Sequence, residues 1–297
     1  MTSRGWLLFA AMAVIWGIPY LFIKIAVAEL TPAALVFLRT VLGAALLLPL
    51  AAARGDLGAL RRYWRPLLVY TFVEVAAPWL LLADAERRIS SSLAGLLIAG
   101  VPLVGALLAW LGAQHDRPDA RRTLGLVVGL AGVALVVGLD VKADDLGAVV
   151  EVGLVAVGYA VGAMIIGRQL RAAPTVAVIA ASLAITALAY APFAIPQLPS
   201  EMPSGRAILS VAVLGAICTA LAFVLFFALI GEVGANRATV ITYFNPVVAL
   251  VLGVAVLAEP LTVAMGAGLA LIVAGSYVAT RRSRGPRQAA EAAAPGG

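Results

Sequence analysis

The chain reads as a succession of long apolar runs, with polar residues gathered in the short gaps between them. An α-helix needs about 17–25 apolar residues to cross a bilayer. Ten runs of that kind follow one another, over residues 6–28, 32–53, 64–84, 90–111, 121–139, 146–167, 175–195, 207–230, 236–257 and 262–280. The gaps are too short to hold a soluble domain, so the pattern predicts an all-α polytopic membrane protein with about ten transmembrane helices. Residues 281–297 are basic and then rich in Ala, Pro and Gly, and read as a disordered cytoplasmic tail. The first run has the outline of a secretory signal, with Arg4 ahead of it and Ala26-Val27-Ala28 at its end. Trp16-Gly17-Ile18-Pro19-Tyr20 interrupts that run and Lys24 charges it, so a retained span is expected.

Composition sharpens this picture. Of the 297 residues, 63% are hydrophobic and 12% charged, and the mean hydropathy is +1.05. A soluble domain is roughly a quarter charged, so lipid is the expected solvent. The net charge of +6 does not imply a nucleic-acid partner, because the basic residues lie in clusters between apolar runs. One set of alternate gaps carries Arg4, Arg54, Arg61, Arg62, Arg65, Arg117, Arg121, Arg122, Arg168, Arg171, Arg237 and the basic residues from Arg281 onward. The other set holds only Arg87, Arg88, Lys142 and Arg206. The positive-inside rule then puts both termini in the cytoplasm, and the expected location is the cell (inner) membrane.

The two halves resemble each other at an offset of about 143 residues. Ile98-Ala99-Gly100-Val101-Pro102-Leu103-Val104 answers Thr242-Tyr243-Phe244-Asn245-Pro246-Val247-Val248, and Gly125 and Gly132 answer Gly268 and Gly275. Trp16-Gly17 answers Tyr159-Ala160, and Asp116 answers Glu259, each followed shortly by Pro. The expected organisation is one five-helix repeat over 1–142 and a second over 143–280. An odd number of crossings per repeat turns the second upside down. Inverted repeats recur in secondary transporters, where two like halves rock around a central site, although channels and membrane enzymes also arise by duplication.

Charges within the spans are the strongest pointers to function, since each costs at least about 2.5–3.5 kcal/mol near the bilayer centre. Lys24, Arg39, Glu74 and Glu151 are such residues. At 1.5 Å per residue, Arg39 lies about 10 Å and Glu74 about 15 Å into the layer. Lys24 can snorkel to the headgroups or enter a cavity, and Glu151 fits an interfacial position. Arg39 requires a carboxylate or helix carbonyls. Pro78 lacks the N–H that would bond the Glu74 carbonyl, which places a free carbonyl beside a carboxyl group. Glu74 either titrates during transport, making the proton a second partner, or forms a static pair with Arg39.

Pro19, Pro102 and Pro246 free the carbonyls of Ile15, Ile98 and Thr242 in the same way. Trp16, Tyr20 and Lys24 share one helical face, as do Thr239, Thr242 and Tyr243, with Asn245 a little round from it. Together with Tyr159, these side chains line a candidate substrate pocket, with Arg39 and Glu74 supplying charge; ordinary helix packing accounts for any one of them equally well. Glycines at 125, 129 and 132, and at 158 and 162, have close-packing spacing and read as structural.

No hydrolase, metalloprotease or phosphate-binding motif occurs. With one cysteine, Cys218, and one histidine, His115, no internal disulfide or Cys/His metal site can form, and no cofactor is expected. Glu86-Arg87-Arg88 looks like ordinary charge at a span end.

In these features the chain resembles the drug/metabolite transporter superfamily, specifically its EamA-like ten-span members, over roughly residues 6–280. The resemblance is carried by Trp16-Gly17 with Phe22 and Lys24, by Pro32 and Phe37-Leu38-Arg39, and by the Pro102 and Pro246 helices. Leu257-Ala258-Glu259-Pro260-Leu261, leading into Gly268 and Gly275, completes it. Two positions depart from the pattern: Asp116 stands where Glu is usual, and Pro19 replaces a small polar residue. The resemblance implies a ten-helix basket with a central cavity, and export of small metabolites or amino acids by alternating access. A passive facilitator, and after it a membrane enzyme or lipid flippase, are the competing expectations.

Overall fold

The computed structural model describes residues 2–111 and 120–280. Asp116, His115, Pro118 and the tail expected to be disordered lie outside the described residues. Ten helices long and apolar enough to cross a membrane follow in order. They are Ser3–Ala26, Pro32–Ala53, Asp56–Arg88, Ser91–Leu111, Ala120–Asp140, Ala143–Arg168, Thr175–Gln197, Gly205–Val233, Thr239–Leu257 and Val263–Thr280, called here the first to tenth spans. No strand occurs among the described residues. Leu7, Leu139, Leu188 and Val263 are exposed along the outer surface, where only lipid makes such side chains stable.

The third span begins well before the expected residue 64, because a 3-10 turn over Asp56–Tyr63 leads directly into it. Successive spans alternate in direction, so the described chain starts and finishes at the same end of the bundle. That end is called the near end and the opposite one the far end.

Proline decides where several spans are interrupted. The first breaks between Ser3–Ile15 and Pro19–Ala26. Across the break, the N–H groups of Gly17 and Ile18 both bond to the Val14 carbonyl. The fourth divides into Ser91–Ile98 and Val101–Leu111. The ninth divides into a 3-10 turn, Thr239–Tyr243, and a helix, Asn245–Leu257. In each case a proline occupies the first or second position of the segment that follows, where its missing N–H is harmless and its fixed φ suits a helix start.

The third and eighth spans are widened instead. Each contains a π-helical stretch, Thr71–Ala76 and Val213–Leu221. In the third, Pro78 removes one i→i−4 donor, and the Ala77 N–H reaches back five residues to the Phe72 carbonyl. The expected free carbonyl thus becomes a local rewiring of the helix. The Tyr190 hydroxyl of the seventh span also donates to the Ala76 carbonyl, at 3.0 Å. The eighth span has no proline there. Its π stretch is held by the Thr219 hydroxyl, which donates to the Leu214 carbonyl at 2.7 Å.

Packing pairs like-numbered spans of the two halves: second with seventh, fourth with ninth, and fifth with tenth. The third packs on the sixth, and the first on the eighth. The fifth–tenth seam is lined by Gly125, Gly129 and Gly132 against Gly268, Gly275 and Ala279, with backbones in direct contact, as small residues permit in a membrane.

Candidate functional site

The polar interior is organised around Arg39. Its helix starts at Pro32, with the Thr31 hydroxyl accepting from the Ala34 N–H, and carries Arg39 inward on the face shared with Leu35, Val36 and Gly43. Arg39 is buried, at 7% exposure. Its Nε donates to the Thr219 hydroxyl at 3.1 Å, and its guanidinium carbon lies 3.7 Å from the centre of the Trp79 ring. This cation–π stack and one hydroxyl stand where a carboxylate or helix carbonyls were expected. No acidic side chain lies within ion-pair distance of Arg39 among the described residues. Tyr20, Tyr159, Cys218 and Glu86 surround it closely enough to interact electrostatically, and Trp79 is a neighbour of Tyr159.

Glu74 projects from the π stretch of the third span towards the sixth, not towards Arg39. Its carboxyl lies against Gly162, where any Cβ would overlap it, while Gly158 faces the Val73 carbonyl. The two glycines thus pack closely, as expected, and the acid is what they make room for. Glu74 Oε2 is enclosed without a hydrogen-bond partner, and Tyr70 and Tyr159 are its titratable neighbours. The static Glu74–Arg39 pair is absent. Tyr159 stands between the two groups, interacting with both.

Tyr20 is buried on the first span. Trp16, before the break, turns to the eighth span instead, against Phe223 and Phe226 with ring centres 5.9 and 4.6 Å away. Lys24 forms no ion pair with an acid among the described residues. Its Nζ donates to the carbonyls of Glu86 (2.6 Å) and Ile89 (2.8 Å), closing the far end of the third span. Asn245 braces the helix breaks: with its amide nitrogen facing the two acceptors, it donates to Ala13 O (3.1 Å) and Ile241 O (3.0 Å). Tyr243 lies apart from the polar interior, its hydroxyl 3.0 Å from that of Thr280 at the near end. Glu151 pairs with Arg88 in an exposed far-end cluster with Asp84.

Two acids have more prominent positions than the sequence suggested. Glu86 is fully buried, and neither carboxyl oxygen has a hydrogen-bond partner. Reading it with Arg87 and Arg88 as span-end charge is therefore corrected. The available signal was its place on the stripe Val75, Trp79, Leu82, Glu86, at i, i+4, i+7 and i+11. Glu259 accepts from the Ser91 N–H (2.8 Å), the Ser91 hydroxyl (3.0 Å) and the Ser92 N–H (2.9 Å), capping the fourth span. Glu29 accepts from the Ser204 N–H at 2.7 Å, tying the first far-end loop to the start of the eighth span.

A cavity of about 390 Å³ lies away from this polar interior, between the second and eighth spans. Leu30, Leu38, Leu42, Pro203, Ile208 and Val211 help to line it, and its walls are apolar. None of the buried charged groups is among these lining residues.

Comparison with known proteins agrees with this architecture. A transporter of Bacillus subtilis, YvbV, described as uncharacterized, is 24% identical over 292 residues, covering 97% of this chain and 95% of the relative. An inner membrane transporter of Escherichia coli K12, YedA, also described as uncharacterized, is 25% identical over 269 residues, covering 89% and 86%. A solved crystal structure superposes with a TM-score of 0.67 at 26% identity, over 94% of this chain and 98% of the other. The EamA-like transporter family matches twice, over residues 3–138 and 148–281, and the chain belongs to that family of membrane transporters.

Proposed function

We propose that the protein exports a small metabolite bearing a carboxylate, an amino acid being the simplest case, by alternating access between two inverted five-helix repeats. The observation that carries this reading is Arg39, a buried guanidinium with one hydroxyl and one ring as its partners and no further hydrogen bond or ion pair among the described residues. An uncompensated charge inside a membrane usually marks a substrate or ion path, and a planar guanidinium suits a carboxylate. Trp79, Tyr20 and Tyr159 provide the apolar and hydrogen-bonding walls, while Glu74 offers an acceptor for an amine or a place for a proton. Asn245 and Trp16 act through the broken helices that frame the site, and Lys24 through closure of the far end.

The inverted arrangement is supported by the double family match and by the contact pattern. Second on eighth mirrors seventh on third, and first on eighth mirrors sixth on third. Exchanging the halves maps each of these two contacts onto its partner, the kind of likeness that alternating access between like halves uses. The basic gaps support a cytoplasmic near end, with both termini on that side.

The test is a metabolite screen of cells producing the wild type, Arg39→Gln or Glu74→Gln. A class of carboxylate released by the wild type and not by Arg39→Gln supports the reading, and equal release by both overturns the role of Arg39. Reconstituted vesicles then separate a carrier from a passive facilitator, since only a carrier shows acceleration by solute on the opposite side.

A further inference from the structure

Glu86 takes no part in the substrate site as described above, yet it is the most completely enclosed acid among the described residues, at 0% exposure. Both of its carboxyl oxygens lack hydrogen-bond partners. Lys24 is beside it, but gives two of its three N–H donors to the main-chain carbonyls of Glu86 and Ile89. No ion pair joins the two side chains.

The other charged and titratable groups around Glu86 come from every neighbouring element. Tyr20 and Lys24 lie on the first span, Arg39 on the second, Tyr159 on the sixth, and Glu259 on the loop after the ninth. Glu259 is engaged by the N–H groups at the head of the fourth span. On the third span itself, Asp84 and Arg88 are occupied with each other and with Glu151. A carboxylate buried without a hydrogen bond is strongly disfavoured; Lys24 and Arg39 offset part of that cost, and a second negative charge near Glu259 adds to it. A metal ion does not resolve the difficulty. Hard cations take six or more oxygens, and no cluster of metal-ligating side chains occurs among the described residues.

We propose that Glu86 is a proton-binding site whose loading is required for the far end of the bundle to close. In the closed form the carboxyl is the neutral acid. When the first span swings away, Lys24 leaves the carbonyls of Glu86 and Ile89 and water reaches the carboxyl. The O–H then gives its proton to water, and the freed ammonium of Lys24 becomes the counter-ion of the carboxylate. Closing reverses both events, taking one proton from the far side. The transporter reading is needed only to give this step its purpose, which is to tie far-end closure to the proton gradient. The step is separate from any titration of Glu74, which lies deeper in the same span.

The test uses the full chain in lipid nanodiscs, in a Cys218→Ala background, with spin labels at Ala28→Cys on the first far-end loop and Asp144→Cys at the far-end start of the sixth span. The label separation should lengthen as pH rises in the parent protein, stay short at every pH in Glu86→Gln, and still respond in Glu74→Gln. Glu86→Asp should respond with a displaced midpoint. Infrared difference spectra should show a protonated-carboxyl stretch that is lost on opening and is missing in Glu86→Gln. A parent protein insensitive to pH, or a Glu86→Gln form that opens like the parent, overturns the proposal. Because no substrate is involved, an intact pH response in a protein that moves no solute would sink the transport reading and leave Glu86 standing.

Discussion

The Arg39 Nε donates to the Thr219 hydroxyl, and that hydroxyl donates in turn to the Leu214 carbonyl five residues earlier in its own helix. A single side chain therefore sustains the π stretch of the eighth span and orients the buried cation. Its counterpart lies across the bundle. Ser182, at the repeat position of Arg39, meets Thr71 in the π stretch of the third span at 3.0 Å. Each half thus presents a polar residue of its second helix to the widened third helix of the other, but only one of the two contacts carries charge.

Thr219→Val keeps the shape and removes both hydrogen bonds. With Arg39 left short of a partner in a dry setting, a loss of about 1–3 kcal/mol is expected, read as a lower melting temperature in mild detergent. Ser182→Ala, which breaks a neutral pair, should cost about 1 kcal/mol. Arg39→Lys should retain fold and charge yet lose transport, because an ammonium cannot both stack on Trp79 and present a planar fork. Comparable losses from Thr219→Val and Ser182→Ala would show that the Arg39 contact carries no special weight.

Gly162 is fitted to Glu74. A methyl group there would overlap the carboxyl, so Gly162→Ala should destabilise by about 1–3 kcal/mol through overpacking and stop transport. Shortening the acid should restore the lost volume, making Gly162→Ala/Glu74→Ala more stable than Gly162→Ala alone. The check is a double-mutant cycle on unfolding midpoints. Additive effects would mean that the glycine serves the helix seam independently of the acid.

The ten spans were legible because apolar length is a local property, and the breaks at Pro19, Pro102 and Pro246 were legible because each proline acts on its own helix. Partners were not. Arg39 finds Thr219 at a separation of 180 residues, and nothing in an apolar run marks one threonine hydroxyl as the recipient. Glu86 was hidden by its neighbours: beside Arg87 and Arg88 it resembles interfacial charge, and only the stripe through Trp79 and Leu82 turns it inward. Tyr243 differs in where its hydroxyl points. The pattern assigned it to a helical face, whereas the 3-10 winding over Thr239–Tyr243 directs its hydroxyl to Thr280 at the near end.

Ala258 ends the ninth span with φ 53°, the one positive-φ residue other than glycine among the described residues. This left-handed turn brings Glu259 to the N–H groups of Ser91 and Ser92. Ala258→Gly should therefore stabilise the fold by relieving about 1 kcal/mol of strain. Glu259→Gln should destabilise it by about 1–2 kcal/mol through loss of a charged cap. Both are read from thermal unfolding. Destabilisation by Ala258→Gly would mean that the stiffness of alanine outweighs its strain.

Lys24 ties the first span to the far end of the third through two charge-assisted hydrogen bonds, each worth about 1.5–3 kcal/mol. Lys24→Met preserves length and apolar packing but leaves the carbonyls of Glu86 and Ile89 without their donor. The equilibrium should move towards the open form. If half of one such bond is lost from the closed state alone, the open population rises roughly threefold or more. Ser92, fully buried beside Glu259, offers a reporter. In Cys218→Ala protein, Ser92→Cys should react slowly with a bulky maleimide, and several-fold faster once Lys24→Met is added. An unchanged labelling rate would assign Lys24 to capping its neighbour rather than latching the far end.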